Sequence, residues 1–558
     1  MNGAFRNSLR YPKTGTGSFG FRCLSRFWDL LNPRPGIAFW WFAAALSIAC
    51  VVPVWLCQYF PSQNGPSLLH IAYMEHEFDN PNYGFSEFYD FHFFPVPYRF
   101  QTTVLRVLFL FIDPLQAQKV CVTAVLLLRC GAVFYFLRRL QPGREVFGLA
   151  CLPLLYDFSL MRGYFNYHVG ISIGLIVFGF YAQARNDWTW RRTILFNALV
   201  LLQYFAHPIA LATIGLLIAV YDLVLSRSPL KIPGIVLRGY VPSVMLLSGF
   251  FAWTSWYGAW TRPTLDYLSL ADKIQNFYFR GATPLSPLVN TASLGLLFVV
   301  GCVTMIQLYR HYRYFGDDKS PRRFMSFTSE PMIAVFLMAL LLYLIMPWNF
   351  TGWHKADIRL IPIVFLMLIA APKPLQSRRA CLAFSLTAGV IVVGSLIPIT
   401  QTMQIWSDDV AEYVAGMDAV PRQSRILPIF GETMRSGTWK LDDAIDPVHR
   451  ADSYYALQRG GATPYSLADN NTLYWVWYKN YRDGGPFPRI DRSHPSASQY
   501  REAAANFDAI LLWDCEPDIR LAFEDRGFRT TFERGRLVVL VQPTEHVKME
   551  HHGEITAR

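Results

Sequence analysis

Long apolar stretches joined by short connectors are the feature that most limits what this chain can fold into. About eleven such stretches lie between residues 36 and 402, and a bilayer core needs roughly 20 apolar residues per helical span. Loops rich in His, Asp, Glu, Asn and aromatic residues alternate with connectors rich in Arg and Lys. We therefore predict an α-helical polytopic membrane protein of about 11 spans that gathers its reactive side chains at one face.

The distribution of charge predicts the orientation of the chain. The formal net charge is +11, but residues 403–558 carry 18 basic and 23 acidic side chains, so the positive excess lies in the first 402 residues. Most of it is in short connectors, which is the positive-inside pattern of cytoplasmic loops. We expect a multi-pass protein of the inner (plasma) membrane with a cytoplasmic N-terminus and no nucleic-acid partner.

The apolar stretches and their flanking charges also predict the domain order. Residues 1–35 form a basic cytoplasmic leader, and residues 36–402 form the transmembrane domain, with a first outer loop over 61–116. Within that loop, 101–115 is predicted to lie on the outer surface as an amphipathic helix. The predicted spans are roughly 36–60, 117–137, 146–160, 167–185, 192–206, 207–226, 234–257, 290–309, 330–347, 357–372 and 380–402.

After residue 402 the apolar runs shorten, as they do in a small α/β domain. Arg425–Gly431 and Phe507–Asp514 have the composition of buried strands, and 529–542 is typical of a hairpin. We predict an extracytoplasmic α/β domain over 403–544 and a disordered tail over 545–558.

Carboxylates in the predicted outer loops are candidates for catalysis. Glu75 and Asp79 in the first outer loop, with Asp157 in a later one, are candidate general bases toward an acceptor hydroxyl. The alternative for each is a solvated charge or a member of a structural ion pair.

A divalent cation is a further alternative for the first outer loop. His70, His76, Glu77 and Asp79 offer imidazole and carboxylate ligands, but their spacing matches no defined metal motif. Hydrogen-bonded surface side chains are the simpler interpretation, so we assign no cofactor.

Basic and titratable side chains in the other outer loops are candidates for binding a donor phosphate, because cationic groups pair well with phosphate oxygens. The candidates are Arg162, His168, His207, His354, Lys355 and Arg359. The alternatives are an Asp157–Arg162 structural pair, a helix cap at His207, and interfacial anchoring by Lys355.

Several short segments resemble those of the GT-C superfamily of membrane glycosyltransferases. The stretches Asn64-Gly-Pro-Ser-Leu-Leu-His70 and Phe94-Pro-Val-Pro97 are similar to the loop that follows the first span of those enzymes. The stretches that look like parts of uncharacterised bacterial GT-C-like proteins are Gly163-Tyr-Phe-Asn166, Tyr204-Phe-Ala-His207 and Arg359-Leu-Ile-Pro362.

The resemblance implies transfer of a sugar from a polyprenyl-phosphate donor to an extracytoplasmic acceptor. The implied partners are the lipid-linked sugar donor and membrane lipids. GT-C enzymes usually carry a catalytic Asp or Glu early in the first outer loop, where this chain has Asn64. Either a later acid such as Glu75 or Asp79 has that role, or the chemistry has been lost. The alternatives are a transporter or flippase for a lipid-linked molecule and a catalytically inactive scaffold.

Overall fold

The structure, a computed structural model, describes residues 36–92, 94–229, 234, 236–256, 265–314, 330–350, 353–431, 445–467, 475–479 and 487–543. Its elements follow the apolar pattern of the sequence, with helices dominating up to Tyr413 and a mixed sheet after it.

The helices of the first part are α1 (Ile37–Ala49), α2 (Val52–Leu56), α3 (Gly65–His76), α4 (Phe85–Phe88), α5 (Arg99–Phe109), α6 (Pro114–Leu140), α7 (Phe158–Met161), α8 (Phe165–Ala184), α9 (Trp190–Ala206), α10 (Pro208–Ser226), α11 (Val241–Trp256), α12 (Leu270–Phe279), α13 (Pro287–Tyr314), α14 (Pro331–Ile345), α15 (Ile361–Ala370) and α16 (Arg378–Tyr413). The 3₁₀ and π segments between them are Arg144–Leu154, Val236–Tyr240 and Ile358–Leu360. The strands are β1 (Tyr89–Phe91), β2 (Leu265–Asp266), β3 (Asn349–Phe350) and β4 (Trp353–His354).

The expected mainly helical membrane architecture is present. Within the described residues, six helical stretches are long and apolar enough to cross a membrane: Ile37–Leu56, Pro114–Leu140, Phe165–Ala184, Pro208–Ser226, Pro287–Arg310 and Arg378–Ala419. Shorter apolar helices accompany them at Val241–Ser255, Pro331–Ile345 and Ile358–Ala370. The total of eleven spans and the direction in which the chain crosses the bilayer stay predictions.

The stretch 146–160 does not form the predicted α-helical span. Its first part belongs to the 3₁₀ segment, whose residues are all buried, and Asp157 then caps the short helix α7. Gly148 brings the 3₁₀ segment so close to α6 that a Cβ there would lie 2.7 Å from the Phe134 ring. The segment is therefore packed among other helices, where its apolar residues contact protein.

Local sequence determines where the long helices begin. The Asp113 carboxylate accepts hydrogen bonds from the Leu115 and Gln116 amides at the start of α6, and a proline occupies the first helical position. The same arrangement starts α10, where His207 Nδ1 accepts from the Ile209 amide. These caps satisfy amides that have no partner within the helix.

The segment predicted as an amphipathic helix over 101–115 is helical as α5. Thr102 and Leu105 are buried against the rest of the protein, whereas Leu110 and Phe111, just after the helix, are exposed. The placement of this helix along the membrane surface stays a prediction.

The C-terminal part forms a four-stranded mixed sheet. Its elements are 3₁₀ Met417–Ala419, β5 (Ile426–Phe430), α17 (Asp452–Arg459), β6 (Val476–Tyr478), α18 (Ala497–Asn506), β7 (Ala509–Trp513), α19 (Pro517–Glu524), β8 (Arg529–Arg534) and β9 (Leu537–Val541). The strand order is β5-β7-β9-β8, with β5 and β7 parallel and the other pairs antiparallel. Strands predicted from the sequence thus occur at all of their expected positions.

This sheet packs directly onto the helical part of the chain. Strand β6 pairs antiparallel with β1 of the first outer loop, with Tyr478 opposite Tyr89. Leu69 of α3 and Leu105 of α5 share one apolar core with Ile426 of β5. The first outer loop is therefore enclosed between the helices and the C-terminal part.

Candidate functional site

The loops predicted to share the outer side meet in space. The Gln63 and Asn64 amides donate hydrogen bonds to the carbonyl oxygens of Met161 (3.0 Å) and Arg162 (3.2 Å). Gly163 permits this approach: its φ is +85°, and a Cβ there would lie 2.9 Å from the Gly65 nitrogen. The first loop is thereby held against the turn that precedes α8.

Further hydrogen bonds join the remaining outer stretches. Asn166 Nδ2 donates to the Tyr98 carbonyl (2.6 Å), and the Tyr204 hydroxyl donates to the Pro95 carbonyl (2.8 Å). Lys273 Nζ donates to the Met346 carbonyl (2.6 Å). Stretches far apart in the sequence thus form one region, which the sequence placed at one membrane level.

Asp157 is held inside the bundle by a partner that the sequence did not suggest. Its Oδ2 accepts from Arg129 Nη1 at 2.8 Å, and its Oδ1 accepts from the Leu160 amide at 3.0 Å. Arg129 Nη1 also donates to His168 Nδ1 at 2.7 Å, and His168 Nε2 lies 3.3 Å from Asp157. The proposed Asp157–Arg162 pair is therefore wrong, because Arg162 Nη1 instead donates to the Gln63 side chain at 2.6 Å.

Arg162, Lys355 and Arg359 lie around Tyr164. The Arg359 guanidinium is 4.4 Å from the centre of the Tyr164 ring. Burial raises the pKa of Tyr164, but the positive charges of Arg359, Arg162 and Lys355 outweigh burial, so that this pKa lies below its ordinary value. The charges of three predicted phosphate-binding residues thus lower the pKa of a single phenol.

A fourth cation, Arg280, joins them through shared aromatic rings. The Arg280 guanidinium lies 5.5 Å from the Phe158 ring centre and 5.6 Å from that of Trp348. Lys355 Nζ lies 5.6 Å from the same two centres. Arg280 and Lys355 therefore share the same two aromatic rings.

The C-terminal part contributes two more cations. The Arg492 guanidinium donates to the His449 carbonyl (3.1 Å), and Arg450 donates to the Tyr465 carbonyl. Burial and the charges of Arg492, Arg450, Arg162 and Lys355 lower the pKa of His449 well below its ordinary value. His449 therefore lies within the field of cations from both parts of the chain. We name this set the cation cluster, defined as Arg162, Arg280, Lys355, Arg359, Arg450 and Arg492.

The carboxylates described near the cation cluster differ in their surroundings. Asp157 and Asp357 are paired with Arg129 (2.8 Å) and Lys273 (3.5 Å), which lie outside the cluster. On the C-terminal side, burial raises the pKa of both Asp446 and Asp452, and Arg492 opposes that effect. Several cationic side chains gathered in one partly buried region make a suitable site for an anion.

An almost wholly apolar groove of about 620 Å³ approaches the cluster. Residues of α12, α13, α14 and α15 line it. Among them are Phe277 and Phe365, whose rings pack edge to face with their centres 4.9 Å apart. Phe277 lies one helical turn before Arg280. A hydrocarbon chain in the groove would therefore end beside cationic side chains.

Glu75 connects three separate parts of the chain. Its Oε1 accepts from Arg99 Nη2 (2.6 Å) and Arg106 Nη1 (2.5 Å), and its Oε2 accepts from the Trp475 indole (3.1 Å). Glu75 lies near the C-terminal end of α3, whereas Asn64 caps its N-terminal end, about 16 Å away along the helix axis. Its contacts tie α3 to α5 and to the C-terminal part.

The other predicted site residues lie in different surroundings. Asp79 is exposed just after α3. His207 caps α10, and its Nε2 lies 3.4 Å from Arg359 Nη1. The His354 side chain lies outside the described residues. His70 is buried with its ring edge to face against Phe85. Among the described residues, no group of three His, Cys, Asp or Glu side chains is arranged to hold a metal ion.

Four arginines of this region were not predicted from the sequence to belong to it. Arg129 lies in the middle of an apolar run, where a charge signals a buried partner. That signal could have identified Arg129 as a residue with a buried acidic partner. Arg280, Arg450 and Arg492 carry no such signal, because an arginine in a polar segment is ordinarily a solvated side chain.

No protein-family model matches the sequence, and no curated protein is significantly similar to it. Two solved structures of ArnT from Cupriavidus metallidurans are similar to this chain, each with a TM-score of 0.51 and 14% sequence identity. The structure bound to undecaprenyl phosphate covers 90% of this chain and 98% of ArnT, and the apo structure covers 93% and 98%. The chain therefore shares the overall fold of ArnT.

Proposed function

We propose that this protein is a membrane glycosyltransferase that moves a sugar from a polyprenyl-phosphate donor to an extracytoplasmic acceptor. The observation that carries the proposal is the cation cluster beside an apolar groove, since a polyprenyl phosphate is an anion attached to a long hydrocarbon. The fold is shared with ArnT, of which one structure is bound to undecaprenyl phosphate.

The chemistry follows from the charge of the cation cluster. When the bond between sugar and phosphate breaks, negative charge builds up on the departing phosphate oxygen. Arg162, Lys355 and Arg359 from the helical part would stabilise that charge together with Arg450 and Arg492 from the C-terminal part. Because the cations are held by aromatic rings and carbonyl groups, little reorganisation is required during the reaction.

The acceptor hydroxyl requires a base, and the predicted carboxylates differ in their availability. Glu75 shares its charge with two arginines at the far end of α3, and Asp157 is enclosed with Arg129 and His168. Asp79 is exposed and follows the same far end of α3. We add Asp446, which is partly exposed, has a raised pKa and lies in the field of Arg492. Asp446 is our preferred base.

The topology completes the proposal. With the basic connectors in the cytoplasm, the cation cluster opens on the outer side of the inner membrane, and the C-terminal sheet covers it there. The acceptor would then approach between the first outer loop and the C-terminal part, while the donor lipid enters laterally along the apolar groove.

Binding of undecaprenyl phosphate to the purified protein in nanodiscs tests the proposal. Arg162→Ala and Arg450→Ala should each weaken binding by roughly 10- to 100-fold, because each removes a charge-assisted contact of about 1.5–3 kcal/mol. Arg526→Ala is the matched control, since Arg526 stacks on Tyr500 in the C-terminal part. Equal affinity in all three variants would refute the role of the cluster. Release of lipid phosphate from a panel of undecaprenyl-phosphate sugars, lost in Asp446→Asn, would establish turnover.

A further inference from the structure

A second groove lies between α1 and α6, away from the cation cluster. Its volume is about 700 Å³, and it is lined mostly by apolar and small side chains, including Ala43, Ala44, Leu127 and Gly131. Gly131 is exposed, and a Cβ built on it would meet nothing within 4 Å. Small residues on both helices thus leave a channel along the surface of the bundle.

One end of this groove is cationic. Arg138 and Arg139 line it at the last turn of α6. Both are exposed, and each guanidinium lies over an aromatic ring: Arg138 is 5.4 Å from the Trp40 ring centre, and Arg139 is 5.0 Å from that of Tyr135. Among the described residues that line the groove, none is acidic. The two positive charges are therefore held at the mouth of an apolar channel.

The length of the groove matches one leaflet of a bilayer. Its lining on α1 runs from Trp40 to Ile48, eight residues that rise about 12 Å along the helix. Half of a hydrocarbon core of about 30 Å is about 15 Å. Trp40 lies at the cationic end, where an interfacial tryptophan is expected.

We propose that this groove binds an anionic phospholipid of the cytoplasmic leaflet. One acyl chain would lie along Ala43, Ala44 and Gly131, and the headgroup phosphate would contact Arg138 and Arg139. An anionic headgroup is favoured over a zwitterionic one because two cations line the mouth, with no carboxylate in the part of its lining that the structure describes. The site is independent of the proposed glycosyl transfer, since it lies at the opposite end of α6 from Pro114, where the outer loop joins that helix.

Native mass spectrometry of the full chain tests the proposal. The protein would be purified in detergent with equal amounts of phosphatidylglycerol and phosphatidylcholine of identical acyl chains. Phosphatidylglycerol should be retained at least about tenfold over phosphatidylcholine, because two arginines near a headgroup each favour an anionic lipid by about fivefold. Arg138→Gln with Arg139→Gln should bring the two lipids close to equal retention.

Further variants distinguish the effect of the two charges on lipid retention from the effect of the channel. Arg378→Gln with Arg379→Gln changes another exposed basic pair and should retain the preference. Gly131→Leu fills the channel while both arginines stay in place, and it should reduce retention of both lipids. Gly394→Leu is its matched control, since a Cβ at Gly394 also meets nothing within 4 Å. Equal retention of the lipids by the unmodified protein would overturn the proposal, as would displacement of phosphatidylglycerol by equimolar undecaprenyl phosphate.

Discussion

Arg129 and Asp157 form a 2.8 Å ion pair inside the helical bundle, where both side chains are almost fully buried. His168 contacts both of them, and the Asp157 carboxylate also caps α7. The pair therefore joins α6, α7 and α8.

Asp157→Asn should strongly destabilise the protein. Removing one partner of a buried pair leaves the other charge uncompensated, which costs about 3–5 kcal/mol. The free energy of unfolding in mixed micelles measures the loss. Asp187→Asn breaks the exposed pair with Arg192 and should cost less than about 1 kcal/mol. A stable Asp157→Asn protein that has lost turnover would instead identify Asp157 as a catalytic residue.

Glu75→Gln should loosen the C-terminal part. The substitution removes the charge that binds Arg99 and Arg106 and weakens the bond to Trp475, so we expect a loss of about 1–3 kcal/mol. Limited proteolysis should cut the C-terminal part several times faster than in the unmodified protein. Glu87→Gln alters an exposed carboxylate of the same loop and should leave the cleavage rate unchanged. Equal rates in both variants would count against the linking role.

Gly163→Ala should separate the first outer loop from the turn before α8. A φ of +85° is strained for alanine, and its Cβ would lie 2.9 Å from the Gly65 nitrogen. We expect a cost of roughly 1–3 kcal/mol, read as a lower unfolding midpoint. Gly394→Ala, in a helix with open space around it, should be neutral or slightly stabilising. An unchanged midpoint in Gly163→Ala would mean that the two loops can move apart freely.

His70 should make the protein less stable in mild acid. Burial lowers its pKa to about 3, whereas an unfolded histidine titrates near 6.5, so the unfolded state binds the extra proton as pH falls below 6.5. Between pH 7.5 and 5.5 this residue should remove about 1.4 kcal/mol of stability. In His70→Phe that component should be absent, and the same substitution at the exposed His494 is the control. A pH dependence identical in all three proteins would contradict the assignment.

Much of the fold could be predicted from the sequence, because apolar period and length specify helices and strands locally. The strand β7 and the helix α5 occur where their patterns predicted them. The 3₁₀ segment Arg144–Leu154 could not be predicted in this way, since an apolar run buried among helices has the same composition as one facing lipid.

The site was predicted only in part. The sequence grouped Arg162, Lys355 and Arg359 as outer-loop residues, and the structure places all three near Tyr164; their side of the membrane and their binding of phosphate stay predictions. Arg450 and Arg492 could not be assigned to it, since their contribution depends on how the C-terminal sheet docks against the first outer loop. That docking arises from long-range contacts such as the pairing of β1 with β6, which leave no local pattern.

A cryo-electron microscopy map of the protein in nanodiscs with undecaprenyl phosphate tests the central claim most directly. The account predicts phosphate density within hydrogen-bonding distance of Arg162 and Arg450, with the prenyl chain leading toward Phe277 and Phe365. A prenyl-phosphate bound elsewhere, with no phosphate density at Arg162 and Arg450, would contradict it.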